Sequence, residues 1–243
     1  MKAILFDLGH TLIDYYHEWR WPEAKAVSEV FELASELCEP APDKERFTSH
    51  LSELLGAARE RKIREMIEVP LTEILVTCFN RFGCEPDEEL MERSLRAFYQ
   101  TLLETRELVP GAVETLEGLK SKGVRIGLVS DVAWGLPSTF PVEDMRHFGM
   151  NCYFDDMVFS TDVGLRKPNP RIFKIALFNL GVGAEEAAFV GNSLQADIRG
   201  ARSVSMMAIL KESKMYVHDD DIVPDARIGD WSEFEEVVRE LGV

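Results

Sequence analysis

Lys2-Ala3-Ile4-Leu5-Phe6-Asp7-Leu8 is the stretch whose reading decides the fold. Its apolar run is nearly continuous, interrupted by Asp7, too short for a helix, and ends in the polar turn Gly9-His10-Thr11. Such a run predicts a parallel strand buried on both faces. It also delivers an acid, Asp7, to the carboxyl end of that strand, where open α/β sheets bind their ligands.

Downstream the periodicity changes. From about Trp21 to Glu104, apolar residues recur every three or four positions, as in Val27, Val30, Phe31 and Ala34, then Leu51, Leu54 and Leu55. Pro40, Pro42, Pro70 and Pro86 punctuate the stretch, and no strand pattern interrupts it. This predicts a bundle of four or five helices. After Val109-Pro110-Gly111 strands and helices alternate: a helix over 112–120, a strand over 124–129, a helix over 170–180, a strand over 187–190, a helix over 194–201, a strand over 205–210, a final short strand over 226–228 and a helix over 231–241. Alternation of this kind implies a parallel sheet covered on both faces. The expected architecture is a Rossmann-like, doubly wound α/β core made from residues 1–14 and 107–243, with a helical insertion over 15–106.

The chain has 243 residues, 46% of them apolar, which suits a folded protein with a sizeable core. No apolar run is long enough for a membrane span, and the first strand lacks the cleavage site of a signal peptide. The net charge of −16 argues against nucleic acid as a partner, while a small phosphorylated ligand remains compatible with a locally cationic cleft. Cys38, Cys78, Cys84 and Cys152 form no zinc-like spacing and are expected to stay reduced in a cytoplasmic protein.

The strand ends carry residues with chemistry. Besides Asp7 and Thr11, they present Ser130-Asp131, the loop Gly164-Leu165-Arg166-Lys167-Pro168, and Gly191-Asn192-Ser193 with Asp197 one turn further on. Singly, each is ordinary: an Asp or Ser at a strand end commonly caps a helix, and a Lys-Pro pair is commonly a solvated loop. Together, on one sheet edge, they could build a nucleophile, an anion cradle and a metal site.

In order and spacing these segments resemble the haloacid dehalogenase superfamily, in the branch whose helical cap follows the first motif. Phe6-Asp7-Leu8-Gly9-His10-Thr11-Leu12 resembles its first motif and Val129-Ser130 its second. The segments 164–173 and 190–201 resemble its third and fourth. The resemblance implies a hydrolase in which Asp7 attacks phosphorus, Ser130 and Lys167 bind the phosphoryl group, and Thr11 positions the loop or the phosphate. It also implies Mg²⁺ held by Asp7, the Gly9 carbonyl, Asn192 and Asp197.

The chain departs from the family pattern in three places. Gly9 stands where a second Asp usually supplies acid and base. His10 is a candidate replacement, as are Asp14, His17 and Glu18, but His10 can equally be a residue that fills the turn. Asn192 stands where an Asp is usual. Asp131, where Asn is common, either returns the lost charge or caps a helix, and capping is favoured. These departures keep two alternatives open: a metal-independent 2-haloacid dehalogenase, and a degenerate phosphate-binding regulator. A Tyr where this chain has Phe173 would favour the dehalogenase. Tyr15, Tyr16, Trp19 and Trp21 are expected to pack cap against core, and His218-Asp219-Asp220-Asp221 to be a solvated loop. The sequence does not indicate the oligomeric state.

Overall fold

β1 (Ala3–Phe6) lies inside a six-stranded sheet. The structure is a computed structural model that describes residues 1–15, 20–214 and 221–240. The side chains of β1 alternate: Ile4 and Phe6 enter one apolar cluster, Ala3 and Leu5 the other, and all four are fully buried. An unbroken apolar run is what a strand covered on both faces requires.

Beyond β1 the chain forms β2 (Ile13–Asp14) and then the helices α1 (Arg20–Leu37), α2 (Lys44–Glu65), α3 (Leu71–Arg81) and α4 (Glu88–Leu103). It returns through β3 (Glu107–Leu108), which pairs antiparallel with β2. Then follow α5 (Ala112–Ser121), β4 (Arg125–Ser130), α6 (Thr139–His147), β5 (Asp156–Phe159), α7 (Ser160–Val163), α8 (Pro170–Leu180), β6 (Ala187–Gly191), α9 (Arg199–Arg202), β7 (Met207–Lys211), β8 (Ala226–Ile228) and α10 (Phe234–Glu240). The sheet order is β5-β4-β1-β6-β7-β8, parallel throughout. The chain winds from β1 to one edge, then crosses to β6 and winds to the other. That reversal sets the carboxyl ends of β4, β1 and β6 side by side at a topological switch point, the usual place for a ligand.

Local chemistry starts and stops the inserted helices. Asp43 caps α2 by accepting from the Arg46 N–H, and Asp87 caps α4 by accepting from the Leu90 N–H. The Phe47 ring anchors the interior of the insertion, with Phe31, Phe79 and Phe82 within 5.2–6.0 Å. No helix of the described residues is long and apolar enough to cross a membrane.

The cysteine expectation needs correction. Cys38, after α1, and Cys84, after α3, are joined in a disulfide. The packing of α1 and α3 brings their Cα atoms to 5.4 Å, inside the range a bridge demands, although they are 46 residues apart in sequence. Cysteine usage therefore gives no argument for a reducing compartment. Cys78 and Cys152 are free.

Other differences are local. The helix expected from residue 194 begins as a π-helical turn, Leu194–Ile198, before α9. β2, β3, β5 and α6 were not expected at all.

Candidate active site

The switch point holds a pocket of about 250 Å³, lined among others by Asp7, Gly9, His10, Ser130, Asp131, Arg166, Lys167, Asn192 and Asp197. Asp7 follows β1 directly and is 7% exposed. Its two carboxylate oxygens have different partners: Oδ2 accepts from the Thr11 hydroxyl at 3.0 Å, and Oδ1 lies 2.5 Å from Lys167 Nζ. Thr11 is fully buried and absent from the pocket lining, so it aims the carboxylate and does not face a ligand. Ser130 ends β4 and lines the pocket beside them.

Lys167 is the charge centre. Its ammonium also lies 2.7 Å from Asp197 Oδ1 and donates to the Val129 carbonyl at 3.0 Å. Burial alone would depress its pKa, but Asp197 and Asp7 overcome that and raise it, so Lys167 stays charged. Asp197 is pushed up to about 6 by burial and by the Asp7 charge, with Lys167 opposing. The π-helical turn brings Asp197 back over the end of β6, where its Oδ2 accepts from the Ser193 N–H at 2.9 Å. Gly191 is required there: a Cβ would come within 2.4 Å of that oxygen. Asn192, 3% exposed, lines the same wall, and its amide nitrogen has no hydrogen-bond partner. Among the described residues, no three His, Cys, Asp or Glu side chains gather as a ready-made metal cluster.

His10 adopts the left-handed conformation, φ 59°, within the turn after β1, with Nδ1 3.3 Å from Asp14 Oδ1. His17, Glu18, Tyr16, Trp19 and His218-Asp219-Asp220 lie outside the described residues. Trp21 is 57% exposed, against the packing role expected of it.

Asp131 does not cap a helix, contrary to expectation. Its Oδ1 accepts from the Lys167 backbone N–H at 3.1 Å, and its Oδ2 lies 3.5 Å from Arg166. The loops after β4 and before α8 converge here, and that convergence takes the carboxylate away from the following helical turn. Its pKa is raised by burial, with Arg166 and Lys167 opposing.

Glu68, which the sequence did not single out, completes this network from the helical insertion. Its buried carboxylate lies 2.7 Å from Lys62 Nζ and 2.7 Å from Arg166, and it accepts from the Ser160 hydroxyl at 2.5 Å. The backbone clasps as well: Glu68 N–H donates to the Gly164 carbonyl and Arg166 N–H to the Met66 carbonyl, both at 3.0 Å. The insertion is thus tied to the loop that carries Lys167. Burial would raise the Glu68 pKa, but Arg166 and Lys62 more than offset it and hold it below the usual range.

Glu68→Gln is expected to destabilise the protein by about 3 kcal/mol, because the buried Lys62 loses its counter-ion and Arg166 keeps only Asp131, at 3.5 Å. Urea denaturation measures this. A depressed carboxyl contributes stability above its unfolded pKa and loses it as pH falls through the folded one, so the gap between wild type and variant should shrink below about pH 4.

The pocket is also lined by Leu102, Leu136, Phe140 and Pro141, with Tyr15, Tyr99 and Asp144. Both phenol hydroxyls donate to Asp144, from Tyr99 at 2.7 Å and from Tyr15 at 3.0 Å. Arg106 pairs with the same carboxylate.

A family model described as haloacid dehalogenase-like hydrolase matches residues 1–205. A glyceraldehyde 3-phosphate phosphatase of Methanopyrus kandleri is 29% identical over 99% of this chain and 98% of its own length. A ribulose-1,5-bisphosphate 5-phosphatase of Halopiger xanaduensis is 29% identical over 86% and 83%. The crystal structure of a 2-haloacid dehalogenase from Pseudomonas syringae pv. Tomato superposes with a TM-score of 0.72 at 25% identity, covering 99% of each chain. With the parallel sheet, the switch-point pocket and a family match over most of its length, the chain belongs to the haloacid dehalogenase-like hydrolases.

Proposed function

We propose that this protein is a phosphohydrolase for a small phosphorylated metabolite, working through an aspartyl-phosphate on Asp7, with Mg²⁺ as cofactor and the helices α1–α4 as a cap over the site. The observation that carries this reading is the Lys167 ammonium placed between Asp7 and Asp197. A carboxylate and a phosphate dianion repel each other, and a fixed buried cation on the attacking carboxylate reduces that repulsion without reorganising. The names of the full-length relatives support the same substrate class.

The chemistry follows from the residues. Thr11 and Lys167 hold the two Asp7 oxygens so that the carboxylate faces the pocket. Asp7 forms a bond to phosphorus as the ester P–O bond breaks, and the leaving oxygen departs with the electron pair. Water then attacks the acyl phosphate and frees Asp7, so two easier displacements replace one hard one. Ser130 donates its hydroxyl to the phosphoryl oxygens. The residues fit a hard cation: Asp7, the Gly9 carbonyl, the Asn192 amide oxygen and Asp197 are all oxygen donors, and the buried Asn192 amide is not locked by its nitrogen. Bound there, Mg²⁺ would neutralise phosphate charge.

Gly9 supplies no proton to the leaving oxygen. Aryl and acyl phosphates are therefore expected to turn over faster than alkyl phosphates by about 10²-fold or more, the usual worth of general acid help. A Cβ at Gly9 would meet only the Tyr15 ring, at 3.9 Å, so the loop has room for Gly9→Asp, which should narrow the gap. Rates independent of leaving-group pKa, with chemistry limiting, would mean that another group donates the proton, and His10→Ala would then test the neighbouring imidazole.

The rival reading is a metal-independent 2-haloacid dehalogenase, whose halide needs no proton. It is favoured by Gly9 and by the Pseudomonas structure. Against it, Phe173 is a buried ring packed on Phe189 at 5.1 Å, with no hydroxyl for substrate. Assays of phosphate and halide release, each with Mg²⁺ and with EDTA, separate the two. Phosphate release that requires Mg²⁺ is expected; halide release from a 2-haloacid in EDTA, without phosphatase activity, would install the rival.

A further inference from the structure

The pocket lining holds two chemically different groups of residues. Lys167, Ser130 and Asn192 form the phosphate group, whereas Tyr15 and Tyr99 gather on Asp144, and Leu102 and Phe140 add apolar wall. We infer that the Tyr15–Tyr99–Asp144 group reads the leaving group of the substrate, selecting one that carries a hydroxyl or ammonium over one that carries a carboxylate or second phosphate. This rests on the phosphohydrolase reading and narrows it.

Donors and acceptors decide what this group can bind. A phenol has one proton to give. Both protons here go to the same buried carboxylate, Asp144, 1% exposed, from Tyr99 at 2.7 Å and from Tyr15 at 3.0 Å. What each hydroxyl has left for a ligand is an acceptor lone pair. Burial and the Asp144 charge raise both phenol pKa values, so neither hydroxyl changes its role by ionising near neutrality. Arg106 balances Asp144 and does not line the pocket.

The described cations that do line the pocket are already engaged. Lys167 sits on Asp7 and Asp197, and Arg166 on Glu68 and Asp131. The His10 ring stands 6.3 Å from the Tyr15 ring with its Nδ1 near Asp14. An anionic leaving group would thus bring acceptors against acceptors in a confined, partly apolar space. A hydroxyl or ammonium would donate to the phenol oxygens. A site built to bond one polar group discriminates strongly against an analogue that cannot make the bond. At about 250 Å³ the whole cavity suits a phosphate with only a short carbon skeleton.

Three two-carbon phosphates of nearly equal size test this: 2-hydroxyethyl phosphate, phosphoethanolamine and phosphoglycolate. The wild type is expected to favour the first two over phosphoglycolate by about tenfold or more in kcat/KM. Tyr15→Phe should lower kcat/KM for 2-hydroxyethyl phosphate, mostly through KM, by roughly tenfold more than for ethyl phosphate, which has no donor. Asp144→Asn should raise the ratio of phosphoglycolate to 2-hydroxyethyl phosphate by about tenfold. The amide can donate to a phenol oxygen and turn its O–H toward the pocket, while Arg106 loses its counter-ion. Wild-type preference for phosphoglycolate would overturn the inference, and so would equal losses for 2-hydroxyethyl and ethyl phosphate in Tyr15→Phe. The wild-type ranking needs no variant to fold. Failure to release phosphate even from an aryl phosphate in Mg²⁺ would instead sink the phosphohydrolase reading beneath it.

Discussion

Asp7→Asn is expected to fold normally and to lose turnover by roughly 10⁴-fold or more, as removal of a nucleophile does. The fold should survive because the amide oxygen can still accept from Thr11. Lys167 also keeps Asp197 at 2.7 Å and the Val129 carbonyl at 3.0 Å, so no buried cation is stranded. Activity should not survive, because an amide neither attacks phosphorus usefully nor returns as a leaving group when water attacks. Circular dichroism and thermal denaturation would establish folding, and phosphate release the loss. A folded Asp7→Asn protein with near wild-type turnover would refute the mechanism.

Lys167→Met is expected to damage activity and stability together. Without the ammonium, Asp7 and Asp197 are two buried carboxylates, each formerly within 2.7 Å of the same cation. Breaking a buried ion pair from one side costs about 3–5 kcal/mol, and loss of a fixed charge on the reacting groups about 10³-fold in rate. The pH dependence has a definite sign. Asp197 already has its pKa raised to about 6, and loss of Lys167 should raise it further. A raised carboxyl favours the folded state below its unfolded pKa, and that contribution is lost as pH rises through the folded value. The stability deficit of the variant should therefore be larger at pH 7 than at pH 5. Urea denaturation at both values reads it, and a deficit that grows on acidification would contradict the assigned charge arrangement.

How much of this was legible in the sequence depends on the range of the interactions. β1, β4, α8 and β6 were readable because their apolar runs or periodicity are local and strong. β5, Asp156–Phe159, is an edge strand that opens with an acid and is only half buried at its start, so it carries no such run. β2 and β3 have two residues each, too few for any pattern. The acids and lysine at the strand ends were readable by order and spacing. Their neighbours were not: Glu68 meets Ser160 and Arg166 across more than 90 residues, and Tyr99 meets Asp144 across 45. Nothing in the residues flanking Glu68 or Asp144 distinguishes them from solvated surface acids, and only the packing of the helical insertion on the core buries them. Asp131 was misread for the same reason: its partner, the Lys167 N–H, is 36 residues away, and local propensity pointed to capping.

The central claim is that phosphate is transferred to Asp7 before it reaches water. Its most direct measurement is acid quenching of the wild-type enzyme during turnover of an aryl phosphate in Mg²⁺, followed by proteolysis and mass spectrometry of the peptide that contains Asp7. One added phosphoryl group on Asp7, labile to base and absent in Asp7→Asn, is the expected result. Sustained phosphate release with no phosphorylated Asp7 peptide at any quench time, under conditions where breakdown of the intermediate is shown to limit turnover, would contradict it.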